Sequence, residues 1–111
     1  MNDNEATIAR VIRAGDYTGS KAWDALELES FADVTVRLHW TDHPYVWHVN
    51  DGPEVFAVLD GVVEMHLRHS GGEQVFRLEP GDIFRAREGD EHKAIPLRAA
   101  RILVVERKDS I

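Results

Sequence analysis

The sequence contains no cysteine. This absence excludes disulfide bonds, a thiol nucleophile and any zinc site built on thiolates, and it is typical of a reducing compartment. Long apolar runs are also missing, and the opening stretch MNDNEATIARVIRAG has no apolar segment like that of a signal peptide. We therefore expect a cytoplasmic protein that has no membrane partner.

Basic residues are scarce and scattered along the chain. The 13 Lys and Arg residues are outnumbered by 20 Asp and Glu residues, which gives a net charge of −7. A phosphate backbone is bound by clustered Lys and Arg side chains, and the sequence offers no such cluster. We expect no nucleic-acid partner, and no anionic membrane surface for the same reason.

Length and composition predict one globular domain. The 111 residues are 43% hydrophobic and 30% charged, enough apolar surface for one core. We expect a single domain over residues 1–111. Ile8, Val11 and Ile12 have helical spacing before Gly15, so the region of about 4–14 is predicted as a short amphipathic helix. A strand is the competing interpretation.

From about residue 22 to residue 107 the apolar residues follow a period of two. Turn signals such as Asp60-Gly61 and Pro80-Gly81 separate the apolar runs. The predicted strands are 22–28, 34–40, 45–50, 54–60, 62–69, 74–78, 82–86, 92–96 and 101–106. Many short, evenly spaced strands indicate an all-β antiparallel sandwich or barrel.

Two of these runs are apolar on both faces. They are Val55–Leu59 and Ile102–Val105. An antiparallel strand with one face in water would alternate, so these runs need cover on both sides. A second sheet, the N-terminal helix or another subunit can supply that cover, and we therefore predict a homodimer as a plausible assembly.

Three polar side chains are expected to share one patch of the interior. His48 and Asn50 face the same side of their strand, and Glu54 opens the next strand. The three-residue loop Asp51–Pro53 makes the two strands antiparallel neighbours. A second polar segment, Gly81 to Pro96, has a turn on each side of a strand and then His92.

These two segments resemble the paired motifs of the cupin superfamily. The first motif has His-x-His, three or four residues, Glu, six residues and Gly, and here the spacing runs from His48 through Glu54 to Gly61. Its second histidine is replaced by Asn50, and Asp42 stands at its initial glycine. The segments Trp-His and Glu-Val-Phe within this motif resemble those of small single-domain cupins of the cupin-2, or mannose-6-phosphate-isomerase-like, type.

The second cupin motif matches in spacing from Gly81 through Gly89 to His92. Arg87 replaces its proline and Pro96 replaces its asparagine. The resemblance covers residues of about 22–107, and it implies an antiparallel double-stranded β-helix, the cupin jelly-roll barrel. Such a likeness carries little information about substrate.

The resemblance also implies a divalent-metal site. His48, Glu54 and His92 match family ligands, and Asn50 would be a weak fourth ligand. Two imidazoles and a carboxylate form a workable set for Fe, Mn, Ni or Zn. The alternative is a buried polar cluster that is satisfied internally without metal.

Four aromatic residues are candidates for lining a pocket around this site, although aromatic residues more often belong to the core. They are Trp40, Tyr45, Phe56 and Phe84. Three functions follow for the chain. It can be a metal-dependent oxygenase or isomerase acting on a small molecule, a non-enzymatic small-molecule-binding or sensing protein, or an interaction module with a vestigial site.

Overall fold

The computed structural model describes residues 8–110, which fold into two antiparallel β-sheets. The nine strands are β1 Asp24–Phe31, β2 Val34–Thr41, β3 His48–Val49, β4 Glu54–Asp60, β5 Val63–His69, β6 Gly72–Leu78, β7 Ile83–Ala86, β8 Glu91–Pro96 and β9 Ala100–Arg107. The predicted all-β antiparallel fold is confirmed, and each of the nine predicted strands corresponds to one of these elements.

The sheets exchange strands along the chain. The five-stranded sheet has the order β1-β2-β9-β4-β7, and the four-stranded sheet has the order β3-β8-β5-β6. Strands β3 and β4 lie in different sheets, so the prediction that the loop Asp51–Pro53 makes them antiparallel neighbours is wrong. β6 and β7, and also β8 and β9, lie in different sheets as well. The chain therefore crosses between the sheets repeatedly, as in a jelly roll.

The predicted N-terminal helix is wrong. Its residues 4–7 lie outside the described range, and residues 8–13 have no regular secondary structure. The only helical element in residues 8–110 is a single 3₁₀ turn, Ala14–Asp16. Ile8 and Val11 remain exposed, at 63% and 76%, so the apolar spacing there marks no helix face packed on the core.

The core lies between the two sheets. Its buried side chains come from alternate positions of both sheets, because successive residues of a strand face opposite ways. Val58 and Ile102 contribute from the five-stranded sheet, and Val63 and Met65 from the four-stranded sheet, all fully buried. The outward positions Val55 and Leu59 are 37% and 44% exposed in the single chain.

One arginine fixes the N-terminal segment to the barrel. The Arg101 guanidinium forms a 2.7 Å ion pair with Asp60 and donates hydrogen bonds to the Tyr17 carbonyl and the Thr18 hydroxyl. The two hydrogen bonds to Tyr17 and Thr18 join residues more than eighty positions apart in sequence. No helix in residues 8–110 is long and apolar enough to cross a membrane.

Candidate functional site

A cavity of about 260 Å³ opens between the sheets. This volume is just below the roughly 300–1,000 Å³ of typical ligand pockets, so it suits a small molecule. Residues of both sheets line it: Trp23, Arg37, His39, Tyr45, His48, Glu54, Phe56, His92, Ala94, Val104, Glu106 and Ser110.

The two histidines of the predicted site come from the four-stranded sheet. His48 lies directly opposite His92 in the β3–β8 pairing, and their rings are 4.3 Å apart. His48 Nδ1 is 3.1 Å from the Val46 carbonyl oxygen. A carbonyl only accepts, so Nδ1 carries a proton, and in the neutral imidazole Nε2 of His48 is left with its lone pair.

Glu54 faces the histidines from the five-stranded sheet. Its Oε1 is 3.5 Å from His92 Nε2, a contact that is too long for a strong hydrogen bond and that becomes an ion pair only with a protonated imidazole. His92 is 2% exposed. The structure thus brings His48, Glu54 and His92 to one cavity, although His48 and His92 are forty-four positions apart in the sequence.

A second carboxyl group, which the sequence analysis did not select, lies beside the first. Glu106 on β9 is the register partner of Glu54 on β4, so the two side chains share the inner face of the sheet. Glu106 stands two positions after the inward-facing Val104 in the run Ile102–Val105. Continuing the strand alternation past the last apolar residue was the signal that could have identified it.

The two carboxyl groups have opposite protonation tendencies. Burial, followed by the hydrogen bond and the charge of Glu54, raises the pKa of Glu106 to about 8. Burial also acts to raise the pKa of Glu54, but hydrogen bonds with His92 and Glu106 and the nearby histidine charges lower it overall. At neutral pH one carboxyl is a proton donor and the other an acceptor.

Asn50 does not join this group. β3 ends at Val49, so the strand alternation that would turn Asn50 inward is not continued. Its buried side-chain amide donates to the Gly52 carbonyl, its N–H donates to the Asp90 carbonyl, and its own carbonyl accepts from the Gly89 N–H. Asn50 therefore ties two turns together and is not among the cavity residues.

The four predicted aromatic lining residues divide evenly. Tyr45 and Phe56 line the cavity, whereas Trp40 and Phe84 do not. Trp40 follows the inward-facing His39 and so points to the outer side, against Gly19. Phe84 is not a lining residue, but its ring lies 5.7 Å from that of the lining residue His92.

Other lining residues were not selected from sequence. His39 and Arg37 face inward from β2, although the sequence analysis gave neither a role. Trp23 precedes β1 with a positive φ of 59°, a strained backbone conformation for a bulky residue. Its ring packs edge-on against Tyr45 at 5.3 Å, so the strain places an indole at the cavity wall.

The predicted metal ligands fit a divalent ion only if their donor atoms converge on one point. Within residues 8–110 no group of three or more His, Asp or Glu side chains is arranged to hold a metal ion. Asn50 is turned away, and Glu54 is engaged with His92 and Glu106. As placed, the side chains fit an imidazole–carboxyl cluster better than a shared coordination sphere.

Four buried polar atoms have no hydrogen-bond partner in the described part of the chain, and all belong to cavity residues. They are Trp23 Nε1, His39 Nδ1, Glu54 Oε1 and His92 Nδ1. Buried polar atoms are nearly always satisfied by protein, water or ligand. These four atoms therefore mark the walls of the cavity as the part of the described interior where polar groups are least satisfied by the protein itself.

Comparison with known proteins identifies the fold. No protein-family model matches the sequence, and no curated protein sequence matches it. A cupin-2 domain protein of Shewanella frigidimarina is 22% identical, with a TM-score of 0.72 over 97% of this chain and 94% of that one. A cupin superfamily protein of Desulfitobacterium hafniense is 14% identical, with a TM-score of 0.71 over 86% and 87%.

An enzyme is also among the similar structures. Hydroquinone 1,2-dioxygenase of Sphingomonas, solved with 4-hydroxybenzoate bound, is 19% identical with a TM-score of 0.71. The match covers 80% of this chain but only 28% of the dioxygenase chain. At these identities the likeness concerns the fold and not the activity. The chain therefore has the cupin fold, at the size of a small cupin-2 domain protein.

Proposed function

We propose that the chain binds a small molecule in the barrel cavity through its imidazole–carboxyl cluster, without requiring a metal ion. The cluster consists of His48, His92, Glu54 and Glu106. The observation that carries this proposal is the convergence of these four side chains, from both sheets, on one cavity of about 260 Å³.

The two sides of the cluster supply complementary groups. His48 Nε2 can accept a hydrogen bond, because its Nδ1 proton is directed to Val46. The Glu106 carboxyl is protonated at neutral pH and can donate. The aromatic side chains of Tyr45 and Phe56 line the same space, so they can pack against an apolar or aromatic body.

A ligand screen tests this proposal. Small phenols and carboxylic acids, among them 4-hydroxybenzoate, are titrated into the protein while the unfolding temperature is followed. A ligand at about one hundred times its Kd stabilises the folded state by about 2.7 kcal/mol. His48→Ala should abolish the shift.

The neighbouring residue offers a matched control. Val49 is 57% exposed and points away from the cavity, so Val49→Ala should leave the shift intact. A shift that survives His48→Ala, or that is lost equally in both variants, contradicts binding at this site.

Metal binding by His48, Glu54 and His92 is the second candidate, as a site for Fe, Mn, Ni or Zn. One observation favours it: ligating histidines usually donate their other ring N–H to a carbonyl or carboxylate, as His48 does to Val46. The ion would supply Lewis-acid chemistry, and it would require His48 and His92 to be neutral.

Elemental analysis of chelator-free protein separates the two candidates. Stoichiometric metal that is lost in both His48→Ala and Glu54→Gln supports the metal site. Protein without metal that still shows a ligand-induced shift supports the metal-free cluster. The Val49→Ala protein again serves as the control for handling and folding.

A further inference from the structure

β6 is a long strand with a free edge. It is the outer strand of the four-stranded sheet and pairs only with β5 in the described residues. Six of its seven residues are exposed, and its two exposed large hydrophobics are Val75 and Phe76, at 51% and 39%. An uncapped edge of this kind presents unpaired N–H and C=O groups that pair readily with another strand.

The other three sheet edges are poorer candidates. β3 has two residues and β7 has four. β1 is long enough, but its charged residues Asp24, Glu27 and Glu29 are all acidic, so a second β1 would be repelled. Among the edge strands that the described residues form, β6 alone is long and carries charges of both signs, Glu73 and Arg77.

The residues of β6 are complementary to a second copy of β6. Glu73 and Arg77 lie two positions before and two positions after Val75. A two-fold axis through Val75, perpendicular to the sheet, makes the two strands antiparallel and places Val75 opposite itself. Each Glu73 then stands opposite Arg77 of the other copy, which gives two opposite-charge pairs.

Neighbouring registers lack this match. Residues that lie opposite each other in an antiparallel sheet face the same side. In a symmetric β6 pair, one residue must therefore lie opposite its own copy, and the two-fold axis passes between these two residues. An axis through Gln74 places Glu73 opposite Val75. An axis through Phe76 places Glu73 opposite Glu79, two like charges. The register centred on Val75 is therefore the favoured one.

The charge pattern of β6 continues across its own sheet. Arg68 on β5 lies between Glu91 on β8 and Glu73 on β6, with ion-pair distances of 3.6 and 3.9 Å. Arg77 of the second copy would extend this row of alternating charges. Within each copy, Arg77 on β6 lies opposite Glu64 on β5. Glu64 of the second copy would therefore add one more acidic residue to the row of alternating charges.

We infer that two copies of this chain associate through their β6 edges, in the register centred on Val75, and so form one continuous eight-stranded sheet. This surface differs from the outer faces of Val55–Leu59 and Ile102–Val105, on which the homodimer predicted from the sequence rested. The contact is small, since it consists mainly of one strand pair, so the dimer is expected at the weak end of specific interfaces.

Sedimentation at rising protein concentration tests the association. From about 1 μM to 1 mM, the range of weak binding, the wild type should shift from monomer to dimer. Val75→Lys places two like charges opposite each other and should weaken dimerisation at least about tenfold. Ile83→Lys, on the outer face of the other sheet at 65% exposure, should leave it unchanged.

Cysteine cross-linking tests the register. The chain has no cysteine, so Val75→Cys introduces the only thiol. Directly opposed positions have Cβ atoms about 4.5–5.5 Å apart, so mild oxidation should produce a disulfide-linked dimer. Ile83 is more exposed than Val75, at 65% against 51%, and yet Ile83→Cys should remain monomeric.

Three outcomes overturn the inference. They are a wild type that stays monomeric up to the highest concentration, a dimer that resists Val75→Lys but dissociates with Ile83→Lys, and cross-linking of Ile83→Cys in preference to Val75→Cys. Circular dichroism of each variant establishes that loss of the dimer is not loss of the fold.

Discussion

Glu54 and Glu106 lie opposite each other on neighbouring strands, and their two carboxyl groups share the inner face of the five-stranded sheet. Two carboxylates cannot both be ionised there without cost, so one retains its proton near neutral pH. The pair gives the cavity an acid and a base that are held by the regular pairing of β4 and β9.

Glu106 should make the protein less stable as pH rises. Its pKa is raised from 4.5 to about 8 in the folded chain, so between these values the unfolded state loses the proton and the folded state keeps it. Its contribution therefore lowers the free energy of unfolding progressively across pH 4.5–8. Glu106→Gln should flatten this slope in urea titrations.

The control for this prediction is an exposed glutamate. Glu88→Gln, on the turn between β7 and β8, should keep the wild-type slope. Parallel pH profiles for wild type and Glu106→Gln between pH 5 and 8 would show that the carboxyl pair does not share a proton.

Gly61 should tolerate no side chain. It has a φ of +80°, and a Cβ there would lie 2.5 Å from the Ala99 carbonyl oxygen. Gly81 also has a positive φ, of +98°, but no atom within 4 Å of a Cβ. Gly81→Ala should cost only the left-handed backbone term, about 1 kcal/mol, and Gly61→Ala roughly twice that or more. Equal costs in chemical denaturation would contradict the clash.

Met65 should be a large contributor to the core. It is fully buried between the sheets, so Met65→Ala is expected to lower the free energy of unfolding by about 2–5 kcal/mol. Met65→Leu nearly conserves volume and should cost less than about 1.5 kcal/mol. The two variants are compared by urea unfolding, and a small loss in Met65→Ala would mean that the core rearranges around the lost side chain.

Arg101 should hold the N-terminal segment in place. Arg101→Met removes its ion pair with Asp60 and its bonds to Tyr17 and Thr18, and we expect a loss of about 1–3 kcal/mol. Hydrogen exchange should accelerate in residues 14–18. Arg107→Met, which removes one exposed hydrogen bond to the Asp51 carbonyl, should stay within about 0.5 kcal/mol of wild type and exchange normally.

The strands were predictable because their signals are local. Alternation of apolar residues with glycine turns placed β4 at residues 54–60, with both ends as predicted, and located every other strand within a few residues, except β3, which is shorter. The N-terminal helix failed because helical spacing alone does not report whether the apolar face has a packing partner, and here Ile8 and Val11 remain exposed.

The site was only partly predictable, because its members are brought together by pairings between strands. His48, Glu54 and His92 could be named from spaced motifs. Glu106 could not be found in that way, since its role depends on lying opposite Glu54 in the β4–β9 register. Asn50 was predicted to face the same side as His48, but β3 ends at Val49, so the alternation does not extend to Asn50.

The two acids of the cluster, Glu54 and Glu106, and its two imidazoles, His48 and His92, belong to different sheets, and this separation has a consequence for how the protein can evolve. The gap between Glu54 and His92 depends on how the interior residues fill the space between the layers. A substitution at Val58 or Met65, neither of which lines the cavity, can therefore alter the proton affinity of the cluster while every lining residue stays the same.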